Sequence, residues 1–304
     1  RWSRRSLVRL AARSGVKQFI NTKNFRSLNP LLEEKMKRYL GLLLITTLFF
    51  TSAESFAGVK KRGSSTETFT YQVTSFNHDV GTAFIKVNRK RGKVSKLEGA
   101  FKTEGTMQKV FPVDNKQVTY VDRQGNPKKT LQKRSERTVN ENFNIKYKHQ
   151  KVQVFYERGG KESNRVRKHP SPIQDVLTVL YKVSDWTAKE GTSMELTMFS
   201  GHQFYKIRAT AVGLEQIWTP ARGLEKARRI NVMIETLSGP RKGEKNKITV
   251  WVDSKKSGYL LKAVHHFKLV GDVVVLLKDR SLEKSRKKAV KAKTKVRKKR
   301  KANK

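Results

Sequence analysis

Histidine is the residue type here best suited to metal binding or acid–base work, and the sequence has six: His78, His149, His169, His202, His265 and His266. No two stand at the i, i+4 spacing that puts a pair of imidazoles on one helix face, and there is no cysteine to complete a mixed site. His265 and His266 are consecutive; within a strand they point to opposite faces and cannot chelate one ion. No G-x-S-x-G nucleophile turn occurs. The run Gly239-Pro240-Arg241-Lys242-Gly243 lacks the order of a phosphate-binding loop and reads as a turn between strands. Asp175 and Asp185 stand ten residues apart, about 15 Å along a helix, too far to work as a carboxylate pair. Asp175 is better placed to face a helix N-terminus. These readings imply no catalytic residues, no metal and no cofactor, so the expected protein is not an enzyme.

Two other groups of residues could bind something. Trp186, Phe204, Tyr205, Trp218, Trp251 and Tyr259 could line a ligand cavity, although such residues more often fill a core. Toward the C-terminus, Lys287, Lys288, Lys291, Arg297, Lys298, Lys299, Arg300 and Lys301 form a dense basic run with almost no apolar residues. That composition cannot bury enough surface to offset its ordering entropy, so residues 278–304 are expected to be a disordered tail that can meet an anionic polymer.

The formal charge of +43 is spread over the whole chain, with 42 basic against 20 acidic residues in 58–277. Such a balance attracts nucleic acid, acidic lipid head groups or acidic envelope polymers, and the compartment must choose among them. Met36, Lys37 and Arg38 precede an apolar run over 40–50, and Ser55-Phe56-Ala57 supplies a small-x-small site. This is the layout of a secretory signal peptide over 36–57, cleaved after Ala57. Its apolar run of about 11 residues is too short for the roughly 20 that span a bilayer. Residues 1–35 show no periodicity and are expected to be an untranslated upstream segment or disordered; a basic targeting extension is the competing reading. The expected location is the periplasm. The expected partners are anionic envelope polymers or lipid head groups, with nucleic acid the alternative and a monomer the expected state.

The elements that would position these residues are mostly strands. After a leader over 58–67, apolar residues recur at period two in 68–73, 82–87, 94–101, 117–121, 142–147 and 152–156. Turn cues such as Asn88-Arg89-Lys90-Arg91-Gly92 and Gln124-Gly125-Asn126-Pro127 separate them. The period changes once. Ser171 as N-cap, Pro172 at the first helical position and Gln174 three after the cap predict a helix start, and Ile173, Val176, Leu177, Leu180 and Tyr181 carry the apolar stripe to about Trp186. Strands then resume in 194–198, 204–212, 215–218, 228–234, 247–252, 259–267 and 272–277. Ile248-Thr249-Val250-Trp251-Val252 carries bulky groups on both faces and is expected to be covered on both sides.

Ser171-Pro172-Ile173-Gln174-Asp175-Val176-Leu177 with Leu180-Tyr181, then Gly191, the aromatic strand over 204–212, Glu215-Gln216-Ile217-Trp218-Thr219-Pro220 and the strand over 248–253 resemble the bacterial exported family catalogued as domain of unknown function 3108. The resemblance covers residues 68–277, most clearly 171–277. It implies a signal-bearing, mostly antiparallel β protein without assigned chemistry, and a concave face able to hold an acyl chain. The chain departs from the family at 254–259, where Gly258 stands in place of a usual proline. Pattern and resemblance together predict an all-β domain over 68–277: a curved antiparallel sheet or partly open β-barrel of ten or more strands, with one amphipathic helix packed on it and an apolar or glycan ligand.

Overall fold

A computed structural model describes residues 64–137, 139–148, 150–255, 259–267 and 271–284. The segments 1–35 and 36–57 and the basic run over 287–301 lie outside the described residues. Eight strands come first: β1 (Ser64–Ser75), β2 (His78–Lys90), β3 (Lys93–Thr103), β4 (Val113–Val121), β5 (Pro127–Glu136), β6 (Val139–Lys148), β7 (Lys151–Arg158) and β8 (Lys161–Lys168). A short helix, α1 (Gly105–Val110), links β3 to β4. Next come β9 (Ile173–Gln174), the helix α2 (Val176–Asp185) and the strands β10 (Ser193–Phe199), β11 (Phe204–Thr219), β12 (Gly223–Thr236), β13 (Lys245–Asp253), β14 (Leu260–Phe267) and β15 (Gly271–Lys284).

All fifteen strands belong to one open sheet, ordered β8-β7-β6-β5-β4-β3-β2-β1-β15-β14-β13-β12-β11-β10-β9. Each neighbour pair is antiparallel and consecutive in sequence except β1 with β15, which joins the described chain's two ends, and β9 with β10, which is parallel. The all-β expectation therefore holds, with more strands than the minimum the pattern required. The sheet's edges, β8 and β9, are consecutive in sequence. Five residue steps from Lys168 to Ile173 span at most about 18 Å, so the edges must approach one another. Helix α2 touches both β3 and β10, which stand eight positions apart in the sheet. At about 4.8 Å per strand a flat sheet would hold those strands about 38 Å apart, so the sheet rolls around the helix. The result is a rolled, unclosed sheet with the helix on its concave face.

Alternation places the core on that face. Strand β1 buries Phe69, Tyr71 and Val73, and β4 buries Val113, Asn115, Gln117, Thr119 and Val121. From the helix, Val176, Leu177, Val179, Leu180 and Val183 are buried, with Leu177 filling the space left by the absent side chain of Gly99. Each such burial stabilises by about 1.5–3 kcal/mol, so the helix is a large part of the core. The concave face expected to hold an acyl chain is therefore occupied by the chain's own helix.

The helix starts later than its apparent signature. Ile173 and Gln174 pair in parallel with Thr197 and Met198, so Ser171 is not the N-cap. Asp175 is, because its carboxylate accepts from the Thr178 N–H at 2.8 Å while its own N–H donates to Thr178 Oγ1 at 2.9 Å. The same carboxylate is fully buried and accepts from Gln117 Nε2 at 2.9 Å, from Thr130 Oγ1 at 2.6 Å and from Thr119 Oγ1. That set ties the helix start to β4 and β5.

Further boundaries shift. The expected leader contributes residues 64–67 to β1, and the expected tail contributes 278–284 to β15, because each supplies the other's backbone partners from Ser65↔Lys284 to Thr70↔Asp279. Arg280 reaches back to Glu67 Oε1 at 2.5 Å and lies over the rings of Phe69 and Tyr259. The strands expected over 204–212 and 215–218 are one strand, β11, bent by a register shift between Ala211 and Gly213. Strand β13 is not covered on both sides: Ile248, Val250 and Val252 are buried, whereas Thr249 and Trp251 are half-buried.

Candidate anion-binding cleft

Three pieces of chain meet where helix α2 ends. The first is the β2–β3 hairpin, where Lys90 pairs with Lys93 across a two-residue loop, Arg91-Gly92. Both loop residues have positive φ, 54° and 77°, which matches the twist of the flanking strands. A left-handed conformation suits glycine; at Arg91 it costs some strain and leaves a guanidinium at the hairpin tip. The second is the β4–β5 turn. Asp122 Oδ1 accepts from the N–H groups of Gln124 and Asn126, and Gly125 at φ 78° brings the backbone close beneath the Tyr181 ring. The third is the last turn of α2, where Lys182 Nζ donates to Asn126 Oδ1 at 2.7 Å and locks the helix to that turn.

Between them lie two adjoining clefts of about 440 and 740 Å³ that share Lys93, Val94, Arg123 and Gln124. Their walls carry seven cationic side chains, Arg89, Lys90, Arg91, Lys93, Arg123, Lys128 and Lys182, against two acidic ones, Asp122 and Asp185. The smaller cleft also has an apolar side made of Val94, Tyr181, Trp186 and Met194. Some of this charge has a structural reason. Cations near a helix C-terminus complement its dipole, and Lys182 and Arg228, whose Nη1 donates to the Trp186 carbonyl at 2.9 Å, serve that role. Arg89 does not fit that account. Its guanidinium faces Tyr181 and Asp185, yet its Nε and Nη2 are buried without a hydrogen-bond partner, an arrangement that costs free energy unless an acceptor meets them. Burial raises the Asp185 carboxyl above its usual range, and the Arg89 charge only partly offsets this. Burial lowers the Lys182 ammonium, and Asp122 partly offsets that. The cleft is thus a partly desolvated cationic site with an apolar wall, suited to an anion carrying an apolar portion.

Of the six aromatic residues proposed for a cavity, only Trp186 lines this cleft, and the fold does not bring the six together. Phe204 is buried in a cluster with Phe143, Ile173 and Phe199. Tyr205 is buried and donates to Gln203 Oε1. Tyr259 is fully buried, stacked on Phe69 at 5.6 Å. Trp251 donates from Nε1 to Glu215 Oε2 at 2.7 Å, with Arg229 and Lys262 over its ring. Trp218 is 61% exposed. The sequence marks Tyr181 only as part of the helix stripe and Arg89 only as part of the turn over 88–92, and it does not point to Lys93, Arg123 or Lys182. The three cations among the five residues of that turn were the available signal.

His265 and His266, consecutive on β14, face opposite sides as strand geometry requires. His265 is buried against Phe267, while His266 points the other way to Asp272. His202 stands 3.3 Å from Glu141 Oε2, and Tyr156 donates to Glu141 Oε1 at 2.9 Å. Burial would raise the Glu141 carboxyl, but the hydrogen bonds from His202 and Tyr156 and the charges of His202 and Arg134 hold it at about 2. Arg134, on the neighbouring strand, donates to the Ser200 carbonyl at 2.6 Å, so this charged cluster fastens β5 and β6 to the β10–β11 turn. No group of three or more metal-ligating side chains occurs among the described residues. No helix among them is long and apolar enough to cross a membrane.

Residues 70–278 match the family model described as "Protein of unknown function (DUF3108)". No curated protein matches the sequence. Among solved structures, a β-barrel-like protein of domain of unknown function DUF1849 from Brucella abortus aligns with a TM-score of 0.51 at 10% identity, covering 72% of this chain and 98% of its own. A protein with a YmcC-like fold from Bacteroides fragilis aligns at 11% identity and a TM-score of 0.30, over 76% of this chain and 99% of its own. At such identities the first likeness concerns the fold alone, and the second carries no argument.

Proposed function

The chain belongs to the family of proteins of unknown function DUF3108, and on that premise we propose that it is an exported, non-catalytic binding protein of the cell envelope whose ligand is an anionic amphiphile. Export rests on the signal layout over 36–57. A mature protein in the periplasm meets anionic lipid head groups and acidic polymers, to which its excess charge is attracted. The observation that carries the binding reading is the pair of buried, unpartnered nitrogens of Arg89 beside the Tyr181–Trp186 wall. A phosphate or carboxylate would accept from the guanidinium in a charge-assisted pair, with Lys93 and Arg123 adding charge. Its acyl or ring portion would rest on Trp186 and Met194. The basic run over 287–301 would concentrate the same anions near the body. The other reading raised by the charge, nucleic-acid binding, has no support in the family or the fold match.

Native mass spectrometry of the protein recovered from the periplasmic fraction tests this. The expected spectrum carries an anionic lipid adduct that Arg89→Gln removes. Recovery only from the cytoplasm, a bare chain throughout, or an adduct unaffected by the substitution would reject it.

A further inference from the structure

Strands β11 and β12 form a long hairpin whose far end exposes apolar side chains that the core does not use. Register pairs Trp218 with Leu224, Gln216 with Lys226 and Leu214 with Arg228, so these six residues share one face. Trp218, Leu224 and Leu214 are 61%, 65% and 54% exposed. The opposite face of the hairpin is anchored, since Thr219 and Ala227 are buried. Arg228 fixes the base by donating to the Trp186 carbonyl, which places the start of the strip beside the cationic cleft. The strip is therefore held by a supported strand pair.

An exposed tryptophan and two leucines next to lysine and arginine have the composition of a segment that settles at a lipid interface, with the indole at head-group depth and the cations on anionic head groups. The charge argues against a second copy of this chain as the occupant, because residues 58–304 carry a net +35 and two such bodies repel one another, whereas an anionic surface attracts both. We infer that the tip of the β11–β12 hairpin docks the protein on an anionic phospholipid bilayer. This inference is independent of the cleft: the hairpin can dock even if Arg89 binds nothing.

The test must separate hairpin insertion from charge attraction by the basic run near the C-terminus. The processed full chain is mixed with vesicles of phosphatidylglycerol and phosphatidylethanolamine whose acyl chains carry bromine, which quenches an indole only when it reaches the acyl boundary. Tryptophan emission is expected to be quenched, less so in Trp218→Phe, and as in the wild type in Trp251→Phe, whose ring is capped by Arg229 and Lys262. In sedimentation at high salt, where charge attraction is screened, Trp218→Ser with Leu224→Ser is expected to weaken vesicle binding by roughly tenfold or more. Trp251→Phe, which lies outside both the strip and the cleft, should leave vesicle binding unchanged. Quenching that Trp218→Phe leaves intact would overturn the inference. So would absence of vesicle binding, or a wild-type self-association that the double substitution abolishes while vesicle binding persists.

Discussion

His265 shows how little room for adjustment a buried imidazole has. Burial, with a smaller contribution from the charge of His266, lowers its pKa from 6.5 to about 4. A base with a depressed folded pKa stabilises the fold fully above 6.5 and loses that contribution as pH falls toward 4, here about 3 kcal/mol. Replacing it by leucine should flatten the urea midpoint against pH between 6.5 and 4; an unchanged slope would show that another group titrates there. Glu141, depressed from 4.5 to about 2, extends the same acid loss to lower pH, since its stabilisation is present above 4.5 and vanishes through 2. Asp175 is the third such residue. Replacing it by alanine removes the cap and leaves Gln117, Thr119 and Thr130 without their acceptor, so a loss of about 3 kcal/mol or more is expected in denaturant unfolding. A loss under 1 kcal/mol would mean the strands hold the helix without it. Consecutive histidines on opposite faces were legible in the sequence because strand geometry dictates it. The cage around Asp175 was not, because its donors come from strands more than forty residues away.

At the level of elements, strands with an apolar period were readable and those without one were not. Strand β5 buries Thr130 and Gln132 where an alternating strand would bury aliphatics, and every residue of β8 but Ser163 is exposed, so neither carries a hydrophobic signal. The helix was legible by its stripe but not by its start, because Ser171-Pro172 mimics a cap that the Asp175–Thr178 pair supplies four residues later. Strand β15 was cut short at Leu277 for a similar reason: its last residues are charged, and their partners lie at the other end of the chain. Ending the chain at Leu277 should therefore destabilise more than loss of a solvated tail would. It removes Arg280 and leaves the Glu67 carboxylate buried without it, a change that typically costs about 3–5 kcal/mol. Calorimetry of chains ending at Leu277 and at Lys284 checks this. Equal melting temperatures would show that the extension is not part of the cooperative fold.

Across the described residues, one sheet rolls until its edges, consecutive in sequence, approach each other around a helix that fills the concave face. That packing fills the interior expected to hold a ligand, and the cationic clefts lie at the rim where the helix ends. The rim could not be read from local pattern, since Arg89, Arg123 and Lys182 sit on three separate elements. The class of fold could, because period-two alternation recurs in most strands of the body. The central claim is that this rim binds an anion with an apolar portion. It is tested most directly by calorimetric titration of lysophosphatidylglycerol into the wild type and Arg89→Gln, with lysophosphatidylcholine as the ligand lacking net charge. The account predicts saturable binding of the anionic lipid only, weakened roughly tenfold or more by the substitution, as expected for the loss of one charge-assisted pair. Equal affinity for both lipids, or for both proteins, would contradict it.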